Sequence, residues 1–222
     1  MHTRSLLAKT AAAVSAALVF VVSSASAQAW HYPTLQLPEI SNRDFTVLVA
    51  GGGDYGTDVV GQWREGINAD AMFNADVGIA TPGSTTLFLA GVGGGYRFLR
   101  ATAETPIDIL GTAGIYGAFG TGSEIRIPFG IVAGHRFALT GGTGALALTP
   151  FVSPRLSIDF CASDCNGAGT DLKVNFDIGT GFDITSSFGL RAALTVGGVG
   201  PGASRTSFGV GATYRPNMAP RH

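Results

Sequence analysis

Asp171-Leu-Lys-Val-Asn-Phe-Asp-Ile-Gly-Thr-Gly-Phe-Asp-Ile184 decides the fold. Its even positions are Leu172, Val174, Phe176, Ile178, Thr180, Phe182 and Ile184. Its odd positions are Asp171, Lys173, Asn175, Asp177, Gly179, Gly181 and Asp183. One set is apolar apart from a threonine, and the other is polar or glycine. Successive side chains point to opposite faces only in a β-strand, so the period of two makes this a strand with one apolar and one polar face. A helix would mix the two sets.

The same split recurs on both sides of that stretch. Ile125, Ile127, Phe129, Ile131 and Ala133 oppose Glu124, Arg126, Pro128, Gly130 and Val132. Phe188, Leu190, Ala192, Leu194 and Val196 oppose Gly189, Arg191, Ala193, Thr195 and Gly197. Ten strand segments follow: 45–52, 58–65, 69–80, 85–99, 106–120, 123–138, 146–161, 171–184, 187–197 and 205–215. The first two are short, so eight is the alternative count. Both counts are even, as single-chain bacterial barrels require.

Composition narrows the class. Charged residues are 13% of the chain, against about 25% in ordinary soluble domains. Yet beyond the N-terminus no stretch is apolar enough for the ~20 residues a membrane helix needs. Closed barrels are the other way to satisfy backbone polar groups in lipid. Most segments match the ~9–11 residues with which a tilted strand crosses a bilayer. The expected fold is therefore all-β: a closed antiparallel up-and-down transmembrane β-barrel of 8–10 strands, with ten favoured. The 33 glycines suit the crowded interior of a narrow barrel. Pro128, Pro150 and Pro154 lack a ladder donor, so bulges or strand ends are expected at them.

In a membrane barrel the apolar face meets lipid and the polar face lines the lumen. The expected lumen is a charge network of Asp70, Asp76, Arg126, Arg155, Asp159, Lys173, Asp177, Asp183, Arg191 and Arg205, with both signs in near balance. Aromatic residues fall on the apolar face near segment ends, including Phe45, Trp63, Phe88, Phe98, Phe160, Phe188 and Tyr214. That is the pattern of an interfacial girdle. A soluble, lipocalin-like periplasmic barrel has the same alternation with the faces exchanged, and stands as the alternative.

The N-terminus gives the compartment. Arg4 and Lys9 precede the apolar run of residues 11–22, and Ala25-Ser26-Ala27 closes it. These three parts in order make residues 1–27 a cleaved signal peptide. Residues 28–44, with Pro33 and Pro38, form a periplasmic lead-in. Residues 45–215 form the barrel and 216–222 a C-terminal tail. Losing Arg4 and Lys9 deepens the net charge of −1 by two, which is not a nucleic-acid binder's balance. The expected location is the outer membrane of a diderm bacterium.

Over residues 45–215 the chain resembles small outer-membrane barrels of the OmpA/OmpX type, without a periplasmic peptidoglycan-binding domain. The last strand resembles the terminal insertion signal of such proteins, through Ser207, Gly209, Ala212 and Tyr214. Family members usually end at the aromatic, whereas Arg215 to His222 follow here. The resemblance implies two partners, the lipid bilayer and the barrel-assembly machinery, and a monomer.

No catalytic constellation stands out. Cys161 and Cys165 are the only cysteines, and an even count in an exported chain favours a disulfide. Two cysteines without a nearby histidine do not complete a tetrahedral metal site. Asp164, Asn166 and Asp171 miss the EF-hand spacing. Gly51-Gly52-Gly53 and Gly93-Gly94-Gly95 open no helix, so they are not phosphate loops. His135 has no serine and acid at evident reach. No metal, no cofactor and no enzymatic activity is expected. The leading functional reading is a structural or interaction barrel with a salt-bridged lumen. A narrow porin-like passive channel and a lipid-modifying enzyme are the alternatives.

Overall fold

The alternating segments become the staves of one closed barrel. The computed structural model describes residues 34–53, 56–120, 122–139, 146–163, 170–197 and 205–216, without the side chains of 161–163, 171 and 205. Its strands are β1 (Arg43–Gly53), β2 (Gly56–Gly66), β3 (Ala71–Thr81), β4 (Leu87–Leu99), β5 (Asp108–Phe119), β6 (Ser123–Gly134), β7 (Phe137–Ala138), β8 (Ala147–Ser163), β9 (Thr170–Asp183), β10 (Phe188–Gly197) and β11 (Arg205–Tyr214). Each pairs antiparallel with its neighbour in the chain, except that β6 pairs with β8. The two-residue β7 continues the β6 ladder along β8 without a change of register, Phe137↔Leu148 following Gly134↔Phe151. There are thus ten staves. The ring closes where β1 meets β11, with Phe45↔Tyr214 and Val49↔Val210 in register. Among the described residues there is no helix.

The prolines act differently from expectation. Pro128 falls where the β5–β6 ladder skips between Ala113↔Phe129 and Tyr116↔Arg126. Pro154 falls where the β6–β8 ladder skips between Gly130↔Arg155 and Ala133↔Val152. Pro150 sits opposite the break between β6 and β7. A missing donor therefore costs a ladder pair but leaves the register unchanged. The register shifts lie elsewhere, at Gly51/Gly53, Gly56/Thr57, Arg97/Leu99 and Ser123/Glu124. Gly52 and Gly56 flank the β1–β2 connection at φ values of +88° and +70°, a region that favours residues without a Cβ.

The faces settle the solvent. Along β9, Phe176 and Ile178 are 46% and 52% exposed, while Asp177 between them is fully buried. The same inversion runs around the barrel. Val47, Val77, Val92, Ile115, Ile131 and Val210 point outward, while Asp44, Arg64, Asp76, Arg126, Asp159 and Arg191 are buried. In water this arrangement would expose a continuous apolar belt and bury charge, a doubly unfavourable choice. Against lipid it is the stable one. Among the described residues, the exchanged faces that a lipocalin-like barrel needs are not found. Near the end that holds both chain ends of the barrel, Trp63, Phe45, Tyr214 and Phe188 stand side by side on successive strands. Trp63 meets Phe73 edge-on at 5.9 Å, and Tyr96 meets Phe98 at 5.3 Å. Phe88 pairs with Phe119 toward the opposite end.

Candidate functional site

The lumen is the one place where this fold gathers polar chemistry, and it is organised into chains of bonds that cross strands. Arg191 on β10 donates to Asp44 on β1 at 3.1 Å, and Arg64 on β2 donates to the same carboxylate at 3.2 Å. Arg64 also donates to Gln62 Oε1 at 2.8 Å, and Gln62 donates to Asp76 on β3 at 3.0 Å. Asn74 lies beside Asp76 and donates to the Tyr116 hydroxyl on β5 at 2.9 Å. Half the wall is thus tied into one relay. The other half carries two further knots. In the first, the Asp177 carboxylate accepts from Arg155 Nη2 at 2.8 Å and from the Thr195 hydroxyl at 2.5 Å. In the second, Asp159 is shared by Arg126 and by Lys173, whose Nζ is 3.0 Å away. Such groups are stable out of water only when paired, since an uncompensated buried charge is costly.

Seven of the residues expected in the lumen network lie within the lumen, Asp76, Arg126, Arg155, Asp159, Lys173, Asp177 and Arg191, while Asp183 is buried nearer the rim with other partners. Asp70 is not among them. It sits in the β2–β3 turn on the barrel rim, where Arg100 Nε donates to it at 2.8 Å. That hydrogen bond and the nearby guanidinium of Arg97 hold its carboxyl below the usual range. The Arg205 side chain lies outside the described residues. The sequence reading missed Asp44, Gln62, Arg64, Asn74 and Tyr116. Asp44 falls one residue before the segment 45–52, in the stretch read as lead-in, and Arg64 is the penultimate residue of 58–65. Their even register with Thr46, Leu48, Val60 and Gln62 was the available signal.

The lead-in also differs from expectation. Set apart from the barrel in the sequence as residues 28–44, it places residues 34–40 inside the lumen, while Arg43 and Asp44 open β1. Leu35 is fully buried and Leu37 4% exposed. Arg191 donates to the Leu35 carbonyl at 2.8 Å, and Thr34 N reaches Asp177 at 3.4 Å. The wall is hollowed where the leucines sit. A Cβ on Gly181 would lie 2.8 Å from Leu37 Cδ1, and one on Gly211 would lie 3.0 Å from Leu35 Cδ1. Both leucines join an apolar cluster that includes Leu48, Val60, Leu89, Leu110, Val132 and Phe151 on the inner wall. The lumen is therefore not polar throughout: a band of hydrophobic side chains lies among its charges. An eight-stranded barrel has an interior just wide enough for side chains. The extra width of ten strands takes in a segment of main chain.

Two hollows differ in size and lining: one of about 800 Å³, open and mostly apolar, is bordered mainly by outward-facing residues such as Tyr96, Phe98, Ile131, Leu156 and Val174, and a smaller one opens on the lumen. Thr34, Gln36, Gln62, Arg64, Asn74 and Tyr116 are among the residues around a cavity of about 80 Å³. The Tyr116 ring lies flat against glycine. A Cβ on Gly91 would be 1.9 Å from its Cδ1, and one on Gly114 2.6 Å from its Cε2. Asp58 is an exception to the pairing. It is buried, and its Oδ1 has no hydrogen-bond partner.

At the rim below the leucines, Asp183 binds Arg215 at 2.7 Å and Arg136 at 3.0 Å. Glu39 lies 3.7 Å from Arg136. Burial raises the Glu39 carboxyl above its ordinary value in spite of that arginine. His135 stacks edge-on against Phe137 at 4.6 Å, with a buried Nδ1 that has no partner. Of the expected insertion signal, Ser207 and Gly209 face inward and Ala212 and Tyr214 outward. The Cys161 side chain and all of Cys165 fall outside the described residues, as does the signal peptide. Among the described residues no cluster of His, Cys, Asp and Glu is placed to hold a metal.

No family model and no curated protein matches the sequence. Three of the solved structures that resemble the fold illustrate the likeness. The first is a bacterial polysaccharide outer membrane secretin, at 10% identity and a TM-score of 0.48, covering 77% of this chain and 58% of that one. The chain thus spans 58% of the secretin's length. The second is the N-terminal β-barrel domain of Pseudomonas aeruginosa OprF, at 13% identity and a TM-score of 0.35, covering 78% and 98% of the two chains. The third is the KdgM porin, at 8% identity and a TM-score of 0.40, covering 78% and 99%. With its closed ten-stranded ladder, apolar outer face and charged interior, the chain has the fold of a small outer-membrane β-barrel.

Proposed function

We propose that this chain is an outer-membrane barrel closed at rest, with a structural or interaction role rather than a catalytic one. One observation carries the reading: residues 34–40 lie in the lumen among wall charges that are largely paired, and the lumenal cavity that Thr34 and Gln36 border has a volume of about 80 Å³. A space of that size holds a few waters. It does not make a continuous aqueous path. The chain is exported by the signal peptide of residues 1–27, and the barrel-assembly machinery recognises the terminal strand. It then resides in the outer membrane as a monomer. A disulfide between Cys161 and Cys165 pins the β8–β9 connection. His135, wedged against Phe137, performs no proton transfer.

The test is a planar-bilayer recording on the refolded mature protein, with unboiled gel mobility as the check that the barrel is folded. A heat-dependent mobility shift together with a near-silent bilayer is the expected result. Steady, large conductance from protein that shows the shift would refute the closed reading.

A further inference from the structure

Resting on that closed reading, we propose that residues 34–40 are a removable plug, and that its withdrawal turns the barrel into a pore for small ions of either sign. The first ground is how the segment is held. Its main chain makes no ladder bond to the wall: the wall reaches it through Arg191 to the Leu35 carbonyl and through the long Thr34–Asp177 contact. Gln36 turns back on the segment itself, its Nε2 donating to the Leu37 carbonyl at 2.6 Å. The rest of the hold among the described residues is two leucine side chains in glycine recesses, Ile40 packed against the same apolar cluster, and the 3.7 Å Glu39–Arg136 pair.

The second ground is what withdrawal leaves behind. Each wall charge that touches the segment has a second partner on the wall. Arg191 keeps Asp44, Asp177 keeps Arg155 and Thr195, and Arg136 keeps Asp183. Removal therefore strands no buried charge, which is the step that would otherwise hold a plug in place. Thr34 and Gln36 line one side of the 80 Å³ cavity, so the vacated space joins it. Apart from Asp58, most charges of the remaining wall sit beside a charge of the opposite sign. The pore should then discriminate little between cations and anions.

The experiment compares four proteins in planar bilayers, each first checked for the heat-dependent mobility shift. They are the wild type, a variant lacking residues 34–40, Leu35→Asn/Leu37→Asn at full length, and Leu37→Cys/Gly181→Cys in a Cys161→Ser/Cys165→Ser background. The Cβ of residue 181 would face only Leu37 atoms among its nearest neighbours, so the last pair can lock the segment to the wall. The deletion and the double asparagine variant should raise open probability at least tenfold, with a cation-to-anion permeability ratio near one. The oxidised lock should be silent, and reduction should restore wild-type traces. A folded deletion variant as silent as the wild type overturns the plug. If the deletion does not fold, a silent but folded asparagine variant overturns it equally. A conducting wild type that the oxidised lock silences refutes closure at rest but upholds the plug. A conducting wild type that the lock leaves unchanged overturns both.

Discussion

Arg191 donates through Nη1 to the main-chain carbonyl of Leu35 at 2.8 Å while its Nη2 holds Asp44 at 3.1 Å. One guanidinium thus joins the lumenal segment to the wall. Lysine keeps the charge but lacks the planar fork that reaches two acceptors at once. Arg191→Lys should therefore leave the barrel folded while weakening its grip on Leu35. Urea unfolding in lipid vesicles should show a smaller loss for Arg191→Lys than for Arg191→Ala, and only the lysine variant should separate easier opening from loss of fold.

Asp177 is fully buried, and Arg155 is its one cationic partner among the described residues. Arg155→Ala should cost about 3–5 kcal/mol, the usual consequence of stranding one member of a buried pair. The double replacement Arg155→Met/Asp177→Leu should recover most of that loss, because it removes both charges and keeps the volume. A double variant no more stable than the single would mean that the ion pair itself, not the orphaned charge, sets the cost.

Ile178 is adjacent to Asp177 in sequence and faces the other way. Ile178→Arg should lower stability by about 2–4 kcal/mol, as for cationic side chains at the bilayer midplane. Thr180→Arg, nearer the strand end, should cost less. Equal losses at both positions would contradict a lipid-facing belt.

Tyr116 covers Gly91, and its hydroxyl accepts from Asn74. Gly91→Val should expel the ring and destabilise the barrel. In Tyr116→Ala the space is already open, so adding Gly91→Val should cost less there than in the wild type. A double-mutant cycle measured by unfolding checks this, and strict additivity would show that the ring does not occupy the recess.

Gly83 sits in the β3–β4 turn with open space around it. That turn lies at the opposite end of the barrel from the start of β1 and the end of β11. If both of those ends are periplasmic, an epitope inserted after Gly83 should be labelled on intact cells. Labelling only after permeabilisation would invert the barrel.

Much of this architecture was written in the alternation. The ten expected segments lie within a few residues of the ten staves, because a strand buried on one side and facing lipid on the other needs its side chains sorted at period two. The lumen was legible where that sorting is clean, as at Lys173, Asp177 and Arg191. It failed at Asp70, which shares the register of its neighbours but falls in a turn, where register no longer fixes direction. Leu35 and Leu37 were not legible at all. Their place depends on two recesses at Gly181 and Gly211, on strands far along the chain, and no local pattern in a lead-in records what it will later sit against. Arg136 and Arg215 lie just past strand ends, each one intervening strand away from β9, so their meeting at Asp183 depends on how neighbouring strands are staggered rather than on any local pattern.

The seam between β1 and β11 also sets an order of events. Thr46 and Thr213 share a hydrogen bond across it although they are 167 positions apart. Contacts so distant in sequence form late, because the chain between them must first be organised. The strand that begins the sheet must therefore wait, edge unsatisfied, for the last strand to arrive. Attached directly to that waiting strand is the segment that ends up indoors. The ring is completed around its own preceding residues, as a hoop is fastened around something already within it. A chain that loses β11 forfeits more than one stave: it leaves two raw edges and an interior segment with no room to occupy.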